Sequence, residues 1–212
     1  MFSGQLEEIV KRRRSIRKYK PIPPPEEWIE KILKATVWAP SPSNLQIVKY
    51  VRIKSSDIKG KLEKEMHKGK EKLLEKINAT NDSKRVKRWI EVYYNRYSSF
   101  MFNAPVLFVA GIQKNKKGFY EKLKCMGLKT NYNKDSVFDI SLGISICHFI
   151  LMAESMGLGT CILTTPFIFI EDINKLLCIN DISFKCFITL GFADETPLPP
   201  EKSSISDLYL QI

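Results

Sequence analysis

The sequence predicts a single domain that combines α-helices with β-strands. Its 212 residues are enough for one sizeable core, and 44% hydrophobic with 27% charged residues is an ordinary balance for a globular chain. Segments with apolar residues every three or four positions indicate helices, and short runs rich in valine and isoleucine indicate buried strands. We therefore expect one unit over residues 1–212, without internal repeats.

The first half of the chain alternates helical and extended patterns. Leu6, Ile9 and Val10 share one helical face, and a second helix begins at Pro25 and stops before Pro40. The pattern then predicts a strand over 46–53, two charged helices over 57–78 and 83–102, and a buried strand over 104–112. We expect 57–102 to form a helical insert or lid. Its second helix carries an aromatic stripe, typical of a packing face that could in part cap a ligand pocket. The stripe consists of Trp89, Tyr93, Tyr94, Tyr97 and Phe100.

The second half is more apolar. After a predicted loop through Gly118 and Gly127, residues 135–157 form a helix that is apolar almost all round, so its own domain or another subunit must cover it. A strand and turn over 157–165, a short helix over 171–179 and a buried strand over 184–192 follow. The tail, 194–212, is rich in proline and serine and can hardly pack on itself. We expect it to be an arm on a neighbouring surface.

Cysteine usage and hydropathy indicate the compartment. The five cysteines are scattered, and no pair has the CxxC spacing of a metal or redox site, so we expect buried free thiols in a reducing environment. The most apolar run, from Ile140 to Ala153, is shorter than the roughly 20 residues of a membrane-spanning helix. These observations predict a soluble cytoplasmic protein without a membrane partner.

A strongly basic stretch, KRRRSIRKYK, occupies residues 11–20 of a chain with a formal net charge of +11. Continuing the helical face of Ile9 and Val10 places Arg13 and Arg17 beside it, where a guanidinium would need a carboxylate or phosphate partner. Alternatively, the helix ends near Ser15 and the cations reach water. A basic nucleic-acid-binding module is a further alternative, but the chain lacks a recognised nucleic-acid fold signature.

Motifs for other chemistries are weak. Gly157 and Gly159 resemble part of a dinucleotide fingerprint, yet a helix precedes them and a strand follows, which is the reverse of the required order. We instead expect Gly157 to cap the helix and Gly159 to allow a close backbone approach. The two histidines, His67 and His148, are typical of a solvated face and a core position. Hydrolytic and zinc chemistry therefore have little support, and a cofactor would carry any reaction.

Five short motifs, in order and spacing, resemble the FMN-dependent nitroreductase family. They are Arg13-Arg14-Ser15-Ile16-Arg17, Ala39-Pro40-Ser41-Pro42-Ser43-Asn44-Leu45-Gln46, Ala104-Pro105-Val106, Gly157-Leu158-Gly159-Thr160 and Leu190-Gly191-Phe192. The resemblance covers nearly the whole chain.

The resemblance implies an FMN site. The residues that bind the FMN phosphate and reach the pyrimidine side of the flavin would be Arg13, Arg14, Ser15 and Arg17. The segment that lies over FMN from the other subunit would be Pro40, Ser41, Ser43 and Asn44, with Gln46 nearby. Backbone amides facing the flavin N5 and O4 edge would belong to Leu163, Thr164 and Thr165. Lys202 is the single basic candidate for the phosphate in the PLPPEKSS stretch, where Glu201 departs from the family's basic pattern.

The resemblance also implies a fold and a reaction. It predicts an α+β fold with a mostly antiparallel central sheet flanked by helices, in an intertwined homodimer that exchanges C-terminal arms. It predicts ping-pong reduction of nitroaromatics, quinones or similar electron-poor acceptors by NAD(P)H or another electron donor, with hydride passing through FMN N5 and no nucleic acid involved. Relatives of the family instead perform reductive dehalogenation, enone reduction or flavin fragmentation, and 89–102 would set specificity.

Overall fold

An antiparallel sheet of four strands forms the centre of the chain. The structure is a computed structural model and describes residues 3–77, 83–116, 118–128 and 134–212. The strands are β1 (Val48–Arg52), β2 (Val106–Gln113), β3 (Gly159–Leu163) and β4 (Ile182–Gly191). Their spatial order is β1-β2-β4-β3, and every neighbouring pair is antiparallel. The expected antiparallel sheet is thus confirmed.

Helices of very different length surround this sheet in the described part of the chain. They are α1 (Ser3–Arg12), α2 (Glu26–Val37), α3 (Ser56–Ile77), α4 (Ser83–Tyr97), α5 (Phe119–Cys125), α6 (Lys134–Ser155), α7 (Ile173–Leu177) and α8 (Ile205–Leu208). Three 3₁₀-helices lie at Pro42–Asn44, Ser99–Asn103 and Thr165–Ile168.

Both faces of the sheet are buried. On one face, α2 and α6 pack on β2 and β4, with Phe108 and Phe149 almost fully buried between them. On the other face, α3, α4 and the segment after β3 cover Leu107 and Phe187. Strand β2 is therefore apolar on both sides, which explains why it appears in the sequence as a continuous hydrophobic run.

Two expected boundaries were wrong. Helix α1 ends at Arg12, so the helical register does not continue to Arg13 and Arg17; the alternative of an early end is the correct one. The loop expected through Gly118 and Gly127 contains helix α5. The two charged helices are present as α3 and α4, while residues 78–82 of the predicted insert lie outside the described part.

Helix α6 buries one face only. Phe138, Leu142, Ile146 and Phe149 lie in the core, whereas Ile140 is 62% exposed. Among the described residues, Ser136–Ser155 alone is long and apolar enough to cross a membrane by length and composition, with a mean hydropathy of 1.8. Core helices pass the same test, and 39% of this window is buried inside the chain. The apolar run of 14 residues counted from the sequence therefore underestimates this segment, which extends over 20 residues. Its buried side chains belong to the core.

The free cysteines only partly match the expectation. Cys161 and Cys186 are buried, but Cys125, Cys147 and Cys178 are exposed. Burial raises the pKa of the Cys186 thiol to about 12, so this side chain is neutral throughout the physiological range. The prediction of buried thiols is thus confirmed for Cys161 and Cys186, and it is wrong for the three exposed cysteines.

Helix α3 contains a matched pair of glycines that tests its docking. A Cβ at Gly69 would lie 1.8 Å from the Phe169 carbonyl oxygen, whereas a Cβ at Gly60 would meet nothing within 4 Å. We expect Gly69→Ala to destabilise the protein by about 2 kcal/mol or more, because rigid backbone must move. Gly60→Ala should instead stabilise it by roughly 0.5 kcal/mol, because alanine favours the helix. Urea denaturation of both variants at one protein concentration measures the difference. Equal effects of the two substitutions would contradict this close approach.

Candidate functional site

The basic stretch runs along the edge of the sheet beside β3. Ser15 pairs with Thr160 in a parallel bridge, and the Ile16 amide donates to the Thr160 carbonyl at 2.9 Å. Gly159 permits this approach, since a Cβ there would lie 2.6 Å from the Ile16 side chain. The expected close approach at Gly159 is thus confirmed. The edge pairing fixes the backbone from which the cationic side chains extend.

Basic side chains from this stretch and from the tail meet in one cavity of about 630 Å³. It is lined by Val10, Lys11, Arg13, Arg14, Ser15, Arg17, Pro197, Leu198, Pro199, Pro200 and Lys202. No aspartate or glutamate belongs to this lining. The structure therefore brings together the phosphate-side residues that the resemblance predicts, including Lys202 from a distant part of the chain. We name this space the arginine cavity.

The three arginines of the motif differ in their partners. One Arg14 nitrogen, Nη1, donates to the carbonyls of Lys11 and Arg13 at 2.6 and 2.8 Å, and thereby caps the end of α1. In the described part of the chain, no carboxylate forms an ion pair with Arg13 or Arg17. The Nε atom of Arg17 is buried and has no hydrogen-bond partner there. A guanidinium group without a partner requires an anion or another hydrogen-bond acceptor. Arg13 and Arg17 can therefore bind such a group, whereas Arg14 already uses part of its donors on the carbonyls of α1.

Burial changes the proton affinities of two groups beside this stretch. The pKa of the Cys161 thiol is raised by burial, which outweighs the opposing charge of nearby Arg17. The pKa of the Tyr19 hydroxyl is also raised by burial, while its hydrogen bond with Thr189 opposes the change. Both groups are therefore neutral at physiological pH, and the positive charge of the arginine cavity is not reduced by them.

The 40–46 segment lies in a different pocket of the same chain. Pro40, Ser41 and Gln46 line a cavity of about 200 Å³ between α2, β1 and α6, together with Tyr50 and Ser145. They are thus separate from the arginine cavity. This separation agrees with a site in which each of two chains contributes one part.

Backbone strain is concentrated in that segment. Ser43, Asn44 and Gln46 have φ values of 49°, 52° and 48°, in the left-handed region. Asparagine tolerates this conformation, but serine and glutamine rarely adopt it, at a cost of about 1 kcal/mol or more each. All three side chains are exposed. Strained, exposed residues are typical of a binding segment held by its surroundings.

The Leu163–Thr165 segment forms the end of β3 and the start of a 3₁₀-helix. Leu163 is buried, and Thr164 is exposed and lines a groove of about 440 Å³ with residues of α6 and β4. The first amides of any helix lack acceptors within it. The segment can therefore offer backbone donors to a ligand.

Sequence reasoning missed two residues that contact Arg17. Glu195, just beyond β4, accepts hydrogen bonds from the amides of Arg17 and Lys18. The Tyr97 ring lies 5.5 Å from the Arg17 guanidinium carbon. Tyr97 belonged to the predicted aromatic stripe and lies one helical turn, three residues, after the buried Tyr94, so its place in that stripe was a usable signal. Glu195 gave none.

The aromatic stripe itself divides into two parts. Tyr94 is 8% exposed and packs edge-on against Phe169 at 5.3 Å, so it belongs to the core. Trp89 and Tyr93 are each about half exposed, at 49% and 48%. The packing interpretation therefore holds for Tyr94, and the exposed residues remain candidates for contact with a ligand or another chain.

The chain combines a four-stranded antiparallel sheet, covered by helices on both faces, with a cluster of basic side chains at one edge of that sheet. The chain belongs to the Nitroreductase family, which it matches over residues 10–192. The resemblance inferred from the five motifs is thus confirmed.

Solved structures show the same fold. A BluB-like flavoprotein from Clostridium difficile 630 has a TM-score of 0.82, with 24% identity and 98% of each chain covered. Oxidized iodotyrosine deiodinase bound to FMN and 3-iodo-L-tyrosine has a TM-score of 0.69, with 19% identity over 94% of this chain and 95% of its own. An NADPH:FMN oxidoreductase from Vibrio harveyi, complexed with NAD+, has a TM-score of 0.67, with 19% identity over 97% of this chain and 76% of its own. FMN, the cofactor that the resemblance predicts, is thus named in two of these relatives.

Proposed function

We propose that this chain binds FMN and uses it to transfer reducing equivalents from NAD(P)H to nitroaromatics, quinones or similar electron-poor acceptors. The observation that carries the proposal is the arginine cavity, where Arg13, Arg17 and Lys202 meet without a carboxylate in the lining. A phosphate dianion offers the charge and the acceptor oxygens that these side chains lack. The FMN-containing relatives of the same fold support the choice of this anion.

The residues fit the cofactor in three places. Arg13, Ser15 and Lys202 would hold the phosphate, and the buried Nε of Arg17 is a donor for the pyrimidine side of the ring. The amides of the Leu163–Thr165 segment would face the opposite edge. Arg14 takes a smaller part in this proposal than the resemblance implied, because its Nη1 caps α1.

FMN, when bound, supplies hydride acceptance and donation at N5. The chain's contribution is electrostatic and geometric. Arg17 would place positive charge near the ring, which would favour the negatively charged reduced cofactor over the oxidised one. Use of one site by the donor and the acceptor in turn would give ping-pong kinetics.

We further propose that the working unit is a homodimer. The 40–46 segment lies outside the arginine cavity of its own chain, so a second copy would place it over the flavin. Residues 201–212 are exposed throughout, and their apolar side chains have no cover in the described chain. They include Ile205, Leu208, Tyr209, Leu210 and Ile212, exposed by 64% or more. This arm suits a partner's surface, as the exposed Leu6 and Val10 of α1 do.

Reduction of the bound flavin tests the proposed function directly. We expect the protein to retain FMN and lose its visible flavin absorbance when mixed anaerobically with NADH or NADPH, at on the order of 10 s⁻¹. A nitroaromatic or quinone should restore the absorbance. Anaerobic stopped-flow spectroscopy measures both half-reactions.

Three other outcomes would contradict the proposal. Turnover of halogenated phenols alone would favour the dehalogenating alternative. Reduction only by a protein donor would exclude NAD(P)H. A colourless protein that retards DNA in a salt-dependent way would favour nucleic-acid binding.

Arg13 and Arg14 form a matched pair for testing the phosphate assignment. We expect Arg13→Ala to raise the Kd for FMN at least about tenfold, because a charge-assisted phosphate contact is lost. Arg14→Ala should change the Kd by less than about threefold and lower the stability of α1, whose carbonyls it caps. Fluorescence titration with FMN and thermal denaturation separate the two effects. Equal losses of affinity in both variants would rule out the distinction between them.

The arm can be tested without disturbing Lys202. We expect the double substitution Leu208→Ser and Leu210→Ser to weaken the dimer, because two apolar side chains exposed by 78% and 87% in one chain would lose their cover on the partner. Sedimentation velocity over a range of protein concentrations measures the shift toward monomer. Met126→Ser, at an apolar residue that is 75% exposed and lies outside the arm, is the control. Unchanged dimerisation of the double variant would show that the arm does not hold the subunits together.

A further inference from the structure

We propose that Tyr97 is a positioning residue that holds the Arg17 guanidinium against the flavin and thereby strengthens binding of reduced FMN over oxidised FMN. This inference rests on the proposed FMN site. It adds a residue of helix α4, which the motifs of the family resemblance do not include.

The Tyr97 ring is the aromatic partner of Arg17. The Arg17 guanidinium carbon lies 5.5 Å from the ring centroid, within the range of a cation–π contact. The guanidinium carbon of Arg96 lies 5.6 Å from the centroid of the same ring. No carboxylate pairs with Arg17 in the described part of the chain. The contact with the Tyr97 ring is therefore a main contact that can hold the Arg17 guanidinium in place.

The backbone of Arg17 is already fixed, so the ring acts on the side chain alone. The Glu195 carboxylate accepts from the amides of Arg17 and Lys18. Two residues on, the Tyr19 hydroxyl donates to the Ile16 carbonyl and lies 2.7 Å from the Thr189 hydroxyl. The remaining freedom is in the side-chain torsions of Arg17. Its Nη1 makes only a long contact of 3.4 Å, with the Ser15 carbonyl, and its Nε makes none.

Tyr97 lies at an anchored end of α4. The next residue, Ser98, is fully buried, and its hydroxyl donates to the Tyr93 carbonyl at 3.0 Å. The Ser99 hydroxyl donates a hydrogen bond to the Asn95 carbonyl at 3.1 Å. Met101, which follows before β2 begins, is buried in the core. The ring is therefore attached to the central sheet through a short, rigid connection. It can impose one orientation on a neighbouring side chain.

Orientation of Arg17 has a measurable effect on the cofactor. A guanidinium interacts more strongly with a reduced flavin that carries negative charge than with a neutral oxidised one. When the ring is removed, Arg17 samples more rotamers, and the reduced form loses more binding than the oxidised form. A side chain with a merely structural role would weaken both forms equally.

The experiment compares FMN affinity in both redox states across variants of α4. We expect Tyr97→Leu to raise the Kd about tenfold for reduced FMN and about threefold for oxidised FMN, which is within the range of one cation–π contact. The midpoint potential of bound FMN, measured by spectroelectrochemistry, should move to a more negative value. Tyr97→Phe, which keeps the ring, should remain within about twofold of wild type in both states.

A control and a double-mutant cycle assign the effect to the ring and to Arg17. Arg85→Gln removes an exposed guanidinium of the same helix that contacts the Trp89 ring instead of Tyr97, and should change neither affinity. In an Arg17→Gln background, Tyr97→Leu should have no further effect, because the two side chains act as one unit. Additive losses would contradict the proposed coupling.

If the Tyr97→Leu variant does not fold, phenylalanine analogues with fluorinated rings at position 97 provide a second test of the contact with Arg17. They preserve shape while weakening the negative face of the ring, so affinity for reduced FMN should fall stepwise with fluorination. Affinities that do not depend on fluorination, or a Tyr97→Leu variant that matches wild type in both redox states, would overturn the inference. A wild-type protein that binds no FMN would overturn it together with the proposed function.

Discussion

Positive charge without a carboxylate partner is the constraint on which the site depends. The pairing of Ser15 with Thr160 holds the backbone of this stretch at the edge of the sheet, and the Nε of Arg17 is buried without a hydrogen-bond partner in the described part of the chain. Leaving such a group unpaired is costly, so the proposed phosphate would complete the cavity. The edge pairing, a close glycine contact and the proline-rich tail together shape the cavity that would receive it.

The architecture divides the site between two surfaces of one chain. The arginine cavity lies on the α1 and tail side of β3, and the strained 40–46 segment lies between α2, β1 and α6. In the proposed dimer, the 40–46 segment of one copy would approach the arginine cavity of the other, so the proposed chemistry would need association. The half-exposed helix α6 and the uncovered arm offer apolar surface for it.

Several elements could be predicted from sequence because their signal is local. Strand β2 is a continuous apolar run, and α2 is bounded by prolines on both sides. Helix α5 was missed because its seven residues carry little apolar periodicity and lie between glycines. The end of α1 was uncertain because the Arg14 side chain decides it by capping the helix, which periodicity does not reveal. The antiparallel pairing of the sheet and the meeting of Lys202 with Arg13 depend on contacts between distant residues, and their prediction came from the family resemblance alone. The strand order was not predicted.

The left-handed backbone at Ser43, Asn44 and Gln46 has a consequence for how the protein matures. Each strained residue raises the free energy of an isolated polypeptide, and contacts made on assembly can offset that cost. In the proposed dimer, bound cofactor would stabilise the paired form over isolated subunits, so the fraction of chains in that form would rise with the concentration of free cofactor.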